Sequence, residues 1–218
     1  MNVILDLHWN APGKTPATGQ QVMADADHSL AFWRSVATAY KSDRRVMFEL
    51  YNEPHDISWP CWRDGCTTSS GWRAAGEQQL VDAVRSTGAR NVVLVGGLGW
   101  AGDLSQWLAY EPHDSTGEIA ATWHNYNFGS CTDRTCWNAT AGRVARRVPV
   151  ITTEFGEDDC SGGYVTPFMR WMDAHHLSYL AWAWNAWDCK SGPALISSYA
   201  GKPTRYGAAV RAHFRSLG

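Results

Sequence analysis

The chain has 218 residues, 44% of them hydrophobic, enough for one good-sized core and too few for two ordinary domains with a linker, so residues 1–218 read as a single domain. Nineteen Lys and Arg against 21 Asp and Glu leave a formal charge of −2, which gives nucleic acid or an anionic membrane no net field to follow. No apolar run approaches the ~18 residues of a membrane span, and no basic, apolar, small-residue leader precedes the first element.

The first element is Val3-Ile4-Leu5-Asp6-Leu7, a strand signal that begins at once after Met1-Asn2 and delivers His8. Such an abrupt start predicts either a missing first part or an edge covered in some unusual way. Residues 28 to 41 carry Leu30, Phe32, Trp33, Val36, Ala37 and Tyr40 at helical spacing, with Asp27 as the expected N-cap. The run 46 to 51 is almost wholly apolar, delivers Asn52 and Glu53, and stops at Pro54. A long polar loop, 52 to 71, leads to a helix expected over 72 to 87, with Leu80, Val81 and Val84 apolar and Gly88 as its stop. Then come a strand at 91 to 95, a loop from Gly96-Gly97 through Trp100, and a short helix near 104 to 110. A strand at 119 to 123 reaches His124 and Tyr126 and is followed by a helix near 137 to 147. The strand at 148 to 153 ends in Glu154. After it are a helix at 166 to 175 with Pro167 in its first turn, a strand at 178 to 184 ending in Trp184 and Asn185, a loop over 192 to 206, and a helix at 206 to 216.

Six strands alternating with six helices specify an α/β protein with a parallel sheet. A doubly wound sheet gathers its ligands at one crevice, whereas a barrel collects side chains from the C-terminal ends of many strands. Polar or aromatic groups follow five of the six strands, and the loops leaving strands are longer than those entering them. Both features favour the barrel.

Two of those strand ends are carboxylates. A carboxyl group at the end of a buried strand is partly desolvated, which suits it to donate a proton near neutral pH, and Asn52 beside Glu53 is placed to hydrogen-bond a hydroxyl. Glu154 is the matching group about a hundred residues on. Two carboxylates facing one mouth act as acid and nucleophile on an acetal when they stand roughly 5 to 5.5 Å apart, the retaining arrangement. The 13 tryptophans fit the same idea, because indole has a flat apolar face and a polar edge that suit sugar rings as well as cores. Those in loop stretches, Trp59, Trp62, Trp100 and Trp187, are the ones least readily assigned to a core.

The motifs Asp6-Leu7-His8, Tyr51-Asn52-Glu53-Pro54, His124-Asn125-Tyr126, Thr153-Glu154-Phe155-Gly156 and Trp182-Ala183-Trp184-Asn185 occur in an order and spacing that resemble glycoside hydrolase family 5. These are the cellulase-like retaining glycosidases built on a (β/α)8, or TIM, barrel. The resemblance implies Glu53 as acid/base and Glu154 as nucleophile. It implies that Asn52, His8, His124 and Tyr126 contact sugar or nucleophile, and that Trp184 rather than Trp182 is the floor on which a ring stacks. It further implies that the strands here correspond to the third to eighth of the family. The chain would then be an N-terminally truncated catalytic domain, an incomplete barrel without the arginine that the family carries at its second strand. Its open edges would be covered by self-association or another chain. The expected activity is endo-β-1,4-glucanase action on cellulose or another β-linked polysaccharide or oligosaccharide, with no cofactor and no metal. The alternatives are a β-mannanase or xyloglucanase of the same family, or an inert, carbohydrate-binding remnant.

Other chemistries fit less well. Gly97-Leu98-Gly99-Trp100-Ala101-Gly102 matches G-x-G-x-x-G, but Trp100 puts an indole where a pyrophosphate would need close backbone approach, and it suits a sugar subsite better. A metal hydrolase drawing on Asp6, His8, His55 and His124 would show a tight ligand pair, and a serine hydrolase a G-x-S-x-G elbow; neither occurs. Six cysteines in polar loops read as disulfides of a secreted protein, paired as Cys61/Cys66, Cys131/Cys136 and Cys160/Cys189, although 15 connectivities are formally open and the two C-x4-C pairs also suit a four-cysteine zinc site. Asn138-Ala139-Thr140 is a glycosylation sequon.

Overall fold

The computed structural model describes residues 1–218. In chain order the elements are β1 (Val3–Asp6), α1 (Ser29–Tyr40), β2 (Val46–Glu49), α2 (Trp59–Asp64), β3 (Cys66–Thr67), β4 (Arg73–Ala74), α3 (Glu77–Arg85), β5 (Val93–Gly96), β6 (Ile119–Tyr126), α4 (Arg134–Ala139), α5 (Ala141–Val144), β7 (Val150–Gly156), α6 (Val165–Ala174), β8 (Ser178–Ala181), β9 (Ile196–Ser198), β10 (Lys202–Pro203) and α7 (Arg205–Ser216). Six of the strands form one parallel sheet in the order β1-β2-β5-β6-β7-β8, the α/β order of an incomplete (β/α)8 barrel. The chain forms two compact units, Met1–Thr122 and Trp123–Gly218, with β6 giving its first residues to one and its last to the other.

In the first unit β1 pairs with β2 from Val3–Val46 to Asp6–Glu49, β2 with β5, and β5 with β6 from Val93–Ile119 to Gly96–Thr122. The helical spacing read from the sequence puts Trp33 and Ala37 of α1, and Leu80, Val81 and Val84 of α3, in the core. Trp33 lies on Phe48 with ring centroids 5.6 Å apart. Burying each such large side chain stabilises the fold by roughly 1.5 to 3 kcal/mol. Three buried indoles also hydrogen-bond the ends of strands: Trp33 donates to the carbonyl of Leu50 (2.8 Å), Trp107 to that of Val95 (3.1 Å) and Trp62 to that of Gly96 (3.0 Å). At the opposite end of β5, Asn91 donates to the carbonyls of Asp43 and Val46, both at 2.8 Å.

The second unit is built on aromatic packing. Trp123 and Trp137 each meet Phe168 and Trp171 edge-on or tilted, Phe168 stacks on Trp171, and Phe155 joins them through Phe168. The phenol of Tyr206 donates to the carbonyls of Phe155 and Trp182, at 2.8 and 2.9 Å, tying α7 to the ends of β7 and β8. The buried Glu157 carboxylate accepts the backbone N–H groups of Gly162, Tyr164 and Val165, so an anion meets the positive start of α6.

Several boundaries differ from the sequence reading, each for a local reason. Asp25, not Asp27, organises the start of α1, accepting the His28 N–H (2.7 Å) and the Ser29 hydroxyl (3.0 Å), while Asp27 accepts from Gly13. The helix expected from residue 72 starts at Glu77, because the stretch before it pairs as β3 and β4. The one expected from 137 starts at Arg134, where the Asp133 carboxylate accepts the Cys136 N–H, and it breaks at Thr140 before α5. The loop over 192 to 206 contains the antiparallel pair β9 and β10. Trp59 and Trp62 are core residues after all. Gly97 to Asp103 closes as a small antiparallel bridge between Leu98 and Asp103, and a Cβ on Gly97 would stand 2.2 Å from the Asp103 carbonyl oxygen. The G-x-G-x-x-G run therefore opens no helix. All six cysteines are paired as Cys61–Cys66, Cys131–Cys136 and Cys160–Cys189, which leaves no thiolates for a zinc site. No helix is long and apolar enough to cross a membrane.

Candidate active site

In the first unit the predicted residues gather at the ends of β1 and β2. The Asn52 N–H donates to the Leu7 carbonyl at 3.2 Å, so the two strands stay joined one step past their last paired residues. Asp6 ends β1 and His8 follows two residues on, with His8 Nδ1 2.7 Å from Asp6 Oδ2. Asn52 is buried and Glu53 half-buried. Pro54 releases the chain from the sheet, and His55 then rejoins the body through its N–H to the Val22 carbonyl (3.0 Å) and through Nδ1, 2.9 Å from the Glu53 carbonyl oxygen.

Gln20 is the residue that sequence reasoning missed. Its side chain accepts from Asn52 Nδ2 (3.3 Å) and donates to the Glu53 carbonyl (3.2 Å) and the Tyr51 hydroxyl (3.3 Å), so one amide braces three consecutive residues of the Tyr-Asn-Glu run. Tyr51 is buried and donates to the Gln21 carbonyl at 2.7 Å; burial holds its phenol far above the ordinary tyrosine range, so it stays a donor at any working pH. Trp100 is 42% exposed, rests against His55, and donates its backbone N–H to the Pro54 carbonyl at 3.1 Å.

In the second unit β6 runs on through Tyr126 and β7 through Gly156, so His124, Tyr126 and Glu154 belong to strands instead of following them. His124 and Tyr126, two apart, share a side of β6 and meet Glu154 of β7. The Tyr126 phenol donates to Glu154 Oε2 at 2.5 Å, and His124 Nδ1 stands 3.5 Å from the same oxygen while His124 Nε2 lies 3.1 Å from the Thr153 hydroxyl. Gly156 makes this possible, since a Cβ there would be 3.1 Å from the Tyr126 ring and 2.9 Å from Pro193. Asn125, on the other side of β6, is structural: it donates to the Cys131 carbonyl at 2.8 Å and accepts from the Tyr164 hydroxyl. Beyond β8 the Trp182–Ala183 peptide is cis. Trp184, 69% exposed, lines a groove of about 770 Å3 with Tyr179, Leu180, Ile196 and Phe214.

In each unit the strand ends carry an acid and an imidazole, groups suited to hydrolytic acid–base chemistry. Comparison with known proteins makes the class specific. Residues 1–188 match the family model of cellulase, glycosyl hydrolase family 5, and the chain belongs to that family. Endoglucanase C of Evansella cellulosilytica is 28% identical over 207 residues, covering 84% of this chain and 25% of that protein; Endoglucanase 1 of Robillarda sp. is 26% identical over 214 residues, covering 84% and 53%. The chain thus spans between a quarter and about half of these curated relatives. Among solved structures, a beta-glucanase from Saccharophagus degradans has a TM-score of 0.77 at 22% identity, covering 100% of this chain and 68% of that one, and a second structure of that enzyme holds cellotetraose.

Proposed function

We propose that residues 1–218 form a secreted catalytic domain that hydrolyses β-1,4-linked glucan by double displacement, with Glu154 as nucleophile and Glu53 as acid/base. The observation that carries the reading is the short phenol bond from Tyr126 to Glu154 Oε2. A donor on one carboxylate oxygen stabilises the charge and turns the other oxygen toward an incoming carbon. Glu154 then attacks the anomeric carbon. The glycosidic C–O bond breaks as Glu53 passes its proton to the departing oxygen. In the second half water attacks the same carbon, Glu53 takes the water's proton, and the ester bond breaks to restore the Glu154 carboxylate. Asn52 and His8 at neighbouring strand ends, and His124 beside the nucleophile, supply hydrogen bonds to sugar hydroxyls, while the exposed indoles of Trp100 and Trp184 supply stacking faces. Similarity to endoglucanases, and the cellotetraose held by the Saccharophagus degradans enzyme, support β-glucan as substrate. Three disulfides support an oxidising, extracellular setting.

The test is release of reducing ends from a soluble β-1,4-glucan by the chain and by its Glu154→Gln variant. The variant is expected to lose at least about a thousandfold in rate, in keeping with removal of a nucleophile. Equal rates would remove Glu154 from the role. Glucan binding without turnover by the unaltered chain would favour a carbohydrate-binding remnant instead.

A further inference from the structure

The mechanism above uses His8 and leaves Asp6 without a task. Asp6 is the last residue of β1, in register with Glu49, and its side chain is about a quarter exposed. Its Oδ2 is 2.7 Å from His8 Nδ1, whereas its Oδ1 is buried with no hydrogen-bond partner. The carboxylate therefore has one engaged oxygen, and the imidazole nitrogen is what engages it.

An ionised carboxylate only accepts hydrogen bonds, so at a pH where His8 is neutral the ring proton must sit on Nδ1. The other nitrogen, Nε2, then carries a lone pair. Free neutral imidazole in histidine favours the opposite tautomer, with the proton on Nε2. Left to itself His8 would present a donor, and beside Asp6 it presents an acceptor. The backbone makes this orientation durable, because the Asn52 N–H on the Leu7 carbonyl holds the peptide between the two residues.

We propose that Asp6 is a positioning residue: by keeping the His8 proton on Nδ1 it presents Nε2 as the hydrogen-bond acceptor for a hydroxyl of the bound sugar. The assignment of the hydroxyl rests on the glycan reading above; the tautomer does not.

Long-range proton–nitrogen correlation spectra of the imidazoles, recorded above the histidine titration range and assigned with His8→Gln, report the tautomer directly without any turnover. The expected result is a protonated Nδ1 and an unprotonated Nε2 for His8. The Asp6→Asn variant should invert or mix that pattern, since an amide in place of a carboxylate can donate to Nδ1, as it does beside the imidazole of serine-hydrolase triads. The same variant should bind cellotetraose about tenfold more weakly, the loss of one hydrogen bond to a substrate hydroxyl. Asp6→Glu, which keeps an acceptor, should recover part of both effects. A proton on Nε2 in the unaltered chain, a tautomer indifferent to Asp6→Asn, or an inverted tautomer with unchanged cellotetraose affinity would each overturn the proposal. Failure of the unaltered chain to bind cellotetraose, with the tautomer as expected, would overturn the glycan reading and the hydroxyl contact while upholding the control of His8 by Asp6.

Discussion

Glu77 opens α3 in complete burial, and neither of its carboxylate oxygens has a hydrogen-bond partner. Burial, with a smaller contribution from the charge of Glu49, pushes its carboxyl well above the usual range. An acid raised in the folded state is neutral in both states at low pH, so its ionisation adds no pH dependence there. As pH rises past the ordinary carboxyl range the unfolded chain ionises while the folded one keeps its proton, so stability falls by about 1.4 kcal/mol per pH unit until the folded group also ionises. Glu77→Gln is expected to remove that slope. Denaturant midpoints measured from pH 4 to 8 should diverge in favour of the variant as pH rises; parallel curves would show that Glu77 is ionised in the fold. No sequence pattern announces this residue, since a glutamate in a first helical turn is ordinarily a solvated partner of the helix dipole. Glu53 and Glu154 stand out in the sequence as candidates for the opposite reason: each ends an apolar run, where a carboxylate is hard to explain by solubility. Gln20 was not legible, because it reaches Tyr51 and Glu53 across 31 and 33 residues of chain and belongs to no local period.

At the scale of elements, α7 begins against the returning chain with no room to spare. Thr204 caps it by accepting the Gly207 N–H at 3.0 Å, and a Cβ on Gly207 would lie 1.8 Å from the Leu195 carbonyl oxygen. That contact is with backbone and cannot be relieved by a rotamer change. Gly207→Ala should therefore cost about 3 kcal/mol, the upper end of overpacking penalties, read as a lower denaturant midpoint with an unchanged slope. A variant as stable as the parent would mean that α7 slides freely along residue 195. The order of strands and helices was readable because their apolar periods are strong, and the boundaries failed where something distant decided them. β3 and β4 displace the start of α3, and the β9–β10 pair orders Ile196–Ser198 and Lys202–Pro203, which look like loop. Asp25 outcompetes Asp27 at α1 because Asn10, on another segment, also donates to Asp25, at 2.9 Å.

For the molecule as a whole, β1 and β8 each have a single neighbour in the sheet. Val3 on one and Leu180 on the other are exposed apolar side chains, and the groove beside β8 is lined by Trp184 and Phe214. Unpaired parallel edges of this kind associate. The 218-residue chain is expected to sediment above its 24.2 kDa monomer mass as concentration rises through the micromolar range; a single monomeric species throughout would sink the expectation. A last consequence follows from the three indoles that hydrogen-bond the carbonyls of Leu50, Val95 and Gly96. The posts from which the loops spring are bolted from beneath by fully buried side chains. Insertions, deletions and exchanges beyond those posts can thus be absorbed without moving the strand ends from which the loops leave.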